Sequence, residues 1–252
     1  MLLVSATIVV YQQIQHVKNR DAGYNASNLI MVPATPMANQ NYEVIKQELL
    51  KTGTVSSVTR TFSPITDIWW SSPAPKWPGK PAGTEIIFSG MYTDVDFSKT
   101  MGVKILEGRD FNGMPADTAS MLLNRSAVEA MGLKQPLGIK LTYGPRDYTV
   151  IGITDNIIMT SPYNAVNPMM TYYNPAASNW ITIRLNKNAQ PKQALKAFDG
   201  IFKKHSPDDL FEYQFVDEEF GRKFATEELI SRISNIFAGL AIFICCLGRV
   251  HV

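Results

Sequence analysis

Cysteine is nearly missing: the 252-residue chain has two, Cys245 and Cys246, side by side in an apolar C-terminal run. Adjacent cysteines build no disulfide framework and offer no metal-ligand spacing. The cysteine-free stretch before them suits an oxidising compartment. Histidine is equally scarce, with His16, His205 and His251 only. None stands in an H-E-x-x-H pattern, and no G-x-S-x-G turn is present. His205 falls at an expected helix C-terminus, where it suits the dipole better than it suits catalysis. The acidic pairs Asp208-Asp209 and Glu227-Glu228 are sequence neighbours, do not face each other, and read as solvated faces. Without nucleophile, base or metal set, no enzyme activity, metal or cofactor is expected of this chain. No G-x-x-x-x-G-K-[ST] loop exists to cradle nucleotide phosphates. The net charge of +2, with no basic cluster among aromatics, gives no reason to expect nucleic acid.

Long hydrophobic runs are also lacking, since a spanning helix needs roughly 20 apolar residues. Both ends show a shorter one. Met1 to Tyr11 is apolar and then turns polar through Gln12 to Asp21, with no Pro or Gly before Gly23. A secretory signal would place its basic residues first, whereas Lys18 and Arg20 follow the apolar core, so the end of a spanning helix is expected. At the other end Asp217, Glu218 and Glu219 crowd a first helical turn, where the dipole favours negative charge. Phe220, Phe224, Leu229, Ile233, Ile236 and Leu240 then recur near one helical face. No charge intervenes between Arg232 and Arg249. This reads as a stalk helix entering a bilayer, with a buried core helix as the alternative. Residues 249–252 do not continue it and read as a scar or truncation.

What lies between is 45% hydrophobic overall, enough for one large domain or two small ones. Leu29 to Val32 reads as a strand. Tyr42, Ile45 and Leu49 mark one face of a helix stopped by Gly53, and Val55 to Thr61 is a β-branched strand. Trp180 to Leu185 is again a strand. A helix follows with Ala194, Leu195, Phe198, Ile201 and Phe202 inward, stopped by Pro207, and Phe211 to Val216 is expected as a strand. Two strand–helix–strand units are the halves of a split βαβ, ferredoxin-like sheet. Between them, 62–179 is expected as an inserted, mainly-β subdomain. It opens with a Pro- and Gly-rich loop holding Trp69, Trp70 and Trp77. A strand over Ile86–Tyr92 and a short helix through Phe97 and Met101, capped by Asp94, come next. An extended stretch from Val103, a strand ending at Leu123 and a helix over Arg125–Met131 closed by Gly132 follow. A hairpin across Gly144-Pro145-Arg146-Asp147 and a strand over Met169–Tyr173 complete it.

The run YTDVDFSKTMGVKILEGRDF (Tyr92 to Phe111), then LLNRSAVEAMGLKQPLGIKL and YTVIGITDN, resembles the extracytoplasmic core of MacB/FtsX-type ABC transporter permeases, in a Bacteroidetes-like variant. AGLAIFICCLG resembles the start of their second transmembrane helix, and VVYQQIQHVKNRDAGYN the exit of the first. Thr154-Asp155-Asn156-Ile157 departs from the lysine, aspartate and aromatic usual after that strand.

The resemblance implies an α+β fold. A porter-like subdomain of two βαβ units (25–61 and 180–216) carries the inserted mainly-β subdomain. Residues 1–24 and 217–248 flank it as truncated transmembrane helix ends and stalks. It further implies a bacterial inner-membrane protein with the bulk of the chain in the periplasm, and a separate ABC ATPase subunit that binds the ATP. A homodimer or paired permease, and a periplasmic adaptor or substrate, are the remaining implied partners. Trp69, Trp70 and Trp77 are the candidate partner or substrate contacts, with folding back into the insertion's own core as the alternative. Asp217, Phe220, Phe224 and Ile233 are candidates for a transmission helix passing ATP-driven movement to the periplasmic side. A non-transporting regulatory or sensory domain of an FtsX-like complex is the rival function.

Overall fold

The computed structural model describes residues 21–223, together with positions 229, 233, 236, 237, 239 and 240. The expected first spanning helix, and most of the stalk and second spanning helix including Phe224, lie outside the described residues. Among the described residues no helix is long and apolar enough to cross a membrane.

β1 (Leu29–Pro33) leads through a short helix, α1 (Pro36–Gln40), into α2 (Tyr42–Lys51) and β2 (Val55–Thr61). β10 (Trp180–Leu185), α5 (Pro191–His205) and β11 (Gln214–Phe215) repeat the pattern at the far end. The strands interleave in the order β11-β1-β10-β2, each pair antiparallel. Each βαβ unit is therefore split by a strand of the other, the ferredoxin-like arrangement. Side chains alternate across a strand, so Ile30, Val32, Ile181 and Ile183 face one way and meet α2 and α5. There they pack on Tyr42, Ile45, Leu49, Ala194, Phe198 and Phe202. The last strand is shorter than the expected Phe211–Val216: only Gln214 and Phe215 pair with β1, and Val216 already opens α6 (Val216–Arg222).

Residues between β2 and β10 carry the other seven strands. β4 (Ile87–Thr93) pairs in parallel with β9 (Met169–Tyr173). β6 (Ser120–Asn124) joins β9 to β8 (Arg146–Thr154), and β5 (Ile105–Gly108) closes the edge. β7 (Lys140–Tyr143) forms the hairpin with β8 across Gly144 and Pro145, and the tryptophan loop contributes β3 (Ser71–Pro73) on β4. All 11 strands form one sheet, since Thr61 of β2 pairs with Thr93 of β4. That single pair is the whole β-ladder between the two halves.

α4 (Arg125–Met131) begins where Asn124 accepts from the Ala127 amide at 2.9 Å and ends at Gly132, whose φ of 64° is left-handed. The expected cap on α3 (Phe97–Met101) is corrected: Asp96 is the N-cap residue and Asp94 turns its carboxylate inward. The buried Tyr42 hydroxyl donates to Asp94 at 2.7 Å, and Thr59 and the Arg60 amide donate as well. A buried carboxylate with several donors satisfies a desolvation need that a solvent-facing cap would not have.

Candidate functional site

The second face of β1 and β10 has no helices of its own unit to cover it. Leu29, Met31 and Trp180 instead enter a middle core with Met91 and Met169 from the inserted strands. Phe97 and Met101 of α3 and Ile65, Ile157 and Met159 from loops complete it. Tyr24 from the incoming chain and Val216 from the outgoing helix are buried in the same cluster, and Phe220 packs against it. Five methionines here supply unbranched, adaptable side chains that fill irregular gaps and tolerate shifts of their neighbours.

The segment entering at Tyr24 and the segment leaving at Val216–Lys223 meet on this core. Tyr24 and Phe220 lie edge to face with ring centroids 6.1 Å apart. The Ile158 amide donates to Ala22 O at 2.8 Å, and the Asn25 amide to Met101 O at 2.9 Å. Gly23 is required between them: its φ is 77°, and a Cβ would lie 1.7 Å from Asn156 O. The loop that departs from the family pattern, Thr154 to Ile157, is thus the loop against which the N-terminal segment lies. Asp155 pairs there with Arg125 at 3.0 Å, and Asn156 accepts from the Ser126 amide at 2.9 Å. Burial pushes the Tyr24 phenol well above its usual value, and its hydroxyl finds no partner among the described residues.

Lys223 extends α6 into the same junction. Its ammonium donates to Met159 O at 2.8 Å and to Thr66 O, so the outgoing chain is tied to two separate loops of the inserted half. Burial holds Lys223 below the usual lysine value, against the opposing pull of Asp67 and Glu219. Beside it opens a cleft of about 490 Å³ walled by Trp69, Trp180, Asp67, Glu219 and Arg222.

The candidate residues separate by environment. Trp69 is 48% exposed and leans edge-on against Trp180 at 5.9 Å, beside α6. Trp70 folds back: its ring stacks on Tyr92 at 5.3 Å and lies across Gly90, where a Cβ would come 1.8 Å from the indole. Trp77 is 7% exposed in the inserted core, with the Lys80 ammonium 4.8 Å over its ring. Asp217 is exposed and accepts from the Glu218 amide. Ile233 is 44% exposed. Sequence reasoning missed Tyr24 and Lys223, because a lone tyrosine and a lysine at a helix end carry no pattern. It missed Asp94 as a buried acceptor for the same reason. Among the described residues no group of His, Cys, Asp and Glu could hold a metal ion.

None of the curated proteins compared matches the chain. Among solved structures, the periplasmic region of MacB from Actinobacillus actinomycetemcomitans is similar, with a TM-score of 0.54 at 16% identity. That similarity covers 81% of this chain and 95% of the other. A domain described as belonging to a permease protein from Porphyromonas gingivalis gives 0.53 at 16% identity, covering 75% and 90%. The extracellular domain of the ABC-type transporter YknZ from Gram-positive bacteria gives 0.50 at 13%, covering 74% and 98%. At such identities these structures share the fold. A family model of the MacB-like periplasmic core domain matches residues 1–201, most of the 252-residue chain. The mixed α+β sheet and that match agree: this chain belongs to the MacB-like periplasmic core domain family.

Proposed function

We propose that this chain is the extracytoplasmic domain of an ABC transporter permease, passing ATP-driven movement of a separate ATPase subunit to a periplasmic substrate or partner. In this reading the segments before residue 25 and after residue 216 lead to helices of the bacterial inner membrane. Residues 25–61 with 180–216 form the porter-like subdomain, and 62–179 form the inserted one. The permease works as a homodimer or pair, with a periplasmic adaptor or substrate on the outer side.

The observation that supports transmission best is the middle core. Tyr24, Phe220 and Val216 from the two chain ends share it with strands of both halves. The β-ladder between the halves is one residue pair. Displacing the ends would therefore press on the contact that sets the angle between the halves, and a methionine-rich core can repack at low cost.

The test uses the complete permease with its ATPase in membranes. Spin labels go on exposed Val44 of α2 and exposed Leu137 of the insertion, after Cys245 and Cys246 are replaced by serine. The distance distribution should shift between nucleotide-free and ATP-bound states. An unchanged distribution would overturn transmission and leave the non-transporting regulatory role.

A further inference from the structure

The inserted half contains a cavity that shares no lining residue with the cleft at Lys223 and that the transmission reading does not use. It has a volume of about 390 Å³ and opens beside the β7–β8 hairpin. Tyr92, Tyr143, Tyr148 and Tyr172 line it, with Arg146 and Tyr173. These tyrosines come from four strands and pack around Tyr172 tilted or edge-on, at centroid distances of 5.7 Å from Tyr92, 6.1 Å from Tyr143 and 4.9 Å from Tyr148. Trp70 buttresses the group from the tryptophan loop, against Tyr92, Tyr143 and Tyr172. The walls are thus rigid, flat and aromatic, held by strand pairing rather than by loop conformation.

The polar groups of the cavity are the tyrosine hydroxyls, Thr118, Asn174 and the guanidinium of Arg146, the one charged side chain in its lining. The hydroxyls of Tyr92, Tyr143 and Tyr148 have no hydrogen-bond partner among the described residues, and that of Tyr172 reaches only the Met170 sulfur at 3.3 Å, a weak acceptor. Burial, reinforced by the neighbouring phenols, raises Tyr172 and Tyr92 above the usual phenol value, so both remain donors at physiological pH. Arg146 has no ion pair among the described residues, and no carboxylate lines the cavity. The adjacent Asp147 is engaged by the Thr142 hydroxyl at 2.7 Å.

We infer that this cavity binds an aromatic ring bearing a carboxylate, the ring between the tyrosine faces and the carboxylate on Arg146 and the tyrosine hydroxyls. Offset and edge-to-face ring contacts reward a flat aromatic group. A guanidinium matches a carboxylate in a two-pronged geometry. Quaternary ammonium ligands also favour aromatic cages, but here they would meet Arg146 with no balancing acid. A neutral sugar would lack an acidic acceptor for its hydroxyls. The cavity size suits a ligand of one or two rings. A free aryl acid and the C-terminal aromatic residue of a peptide share this chemistry.

The test is titration of the 252-residue chain followed by tryptophan fluorescence, since Trp70 lies stacked behind the cavity. The probes are N-acetylphenylalanine, its carboxamide, benzyltrimethylammonium and the peptide Ala-Ala-Ala-Phe. N-acetylphenylalanine should saturate, with the carboxamide about tenfold weaker, as expected for losing a charged hydrogen bond. Arg146→Gln, an exposed position, should abolish the preference for the carboxylate. Tyr148→Phe should keep the fold and weaken binding less. Tighter binding of the peptide than of N-acetylphenylalanine would identify a chain terminus as the source, and equal binding a free aryl acid. No saturation, or equal binding of carboxylate, carboxamide and ammonium, would overturn the inference. Neither result bears on nucleotide-driven movement, which the spin-label distances test separately.

Discussion

The two halves of the molecule are stabilised by different means. In the porter-like half, aliphatic strand faces meet two amphipathic helices, and Phe198 and Ile45 are fully buried between them. In the inserted half, an aromatic pile of Trp70, Tyr92, Tyr143, Tyr148 and Tyr172 takes the place of a second helix layer. The first half gains cohesion from two strand–helix–strand units, each local in sequence, whose strands interleave in the sheet. The second depends on rings brought together from positions about a hundred residues apart. The middle core borrows from both, and from both chain ends. Two differently built halves thus meet at a methionine-rich core.

This contrast can be broken most forcefully in the porter half. Phe198→Ala should cost about 3–5 kcal/mol, the range for emptying a buried aromatic site, measured by urea unfolding. In the inserted half Gly90→Ala should cost about 1–3 kcal/mol, because the new methyl drives into the Trp70 ring. Its distinguishing sign is a shift in tryptophan emission, which Phe198→Ala should not produce. Asp94→Ala removes the acceptor of Tyr42 and Thr59 and should cost about 1–3 kcal/mol. Asp94 links α2 to the end of β4, so this loss should destabilise both halves together rather than one.

The smallest effect is a pH effect on the α2–α5 contact. The hydrogen bond from Lys204, with the His205 ring nitrogen 3.1 Å away, holds the Glu48 carboxyl below its usual value. A depressed carboxylate contributes stability that is fully present above its unfolded value and is lost as pH falls through the folded one. Glu48→Gln should therefore lower Tm slightly at neutral pH, and the difference should disappear in acid below the folded value. A difference that grows in acid would show the sign to be wrong.

The porter half was legible because its signals are local. Ile45 and Leu49, then Ala194, Phe198 and Phe202, fall at helical spacing, and alternation in Trp180–Leu185 marks a strand with two different faces. Pro207 and Gly132 marked helix ends close to where the structure has them. Asp94 was misread because Asp before a short helix ordinarily caps it, and burial against Tyr42 leaves no local trace. The length of β11 was overstated for a related reason: Phe211 and Tyr213 look like strand residues, but their rings pack on one another at 5.7 Å and only Gln214 and Phe215 pair with β1. Gly90 looked like any strand glycine, and only the ring of Trp70 above it explains the missing side chain. The aromatic cavity and the meeting of Tyr24 with Phe220 arise from tertiary assembly, for which no periodicity in the chain exists.

The central claim is that the middle core joins the segments at Tyr24 and at Val216–Phe220 to both halves. The most direct measurement is hydrogen exchange at the amides of Ile158 and Asn25, which donate to Ala22 and Met101, in the permease with its ATPase. Both amides should change protection together between nucleotide-free and ATP-turnover conditions, and Lys223→Met should uncouple that change from the loops at Thr66 and Met159. Identical protection in both conditions, with and without the substitution, would contradict the account.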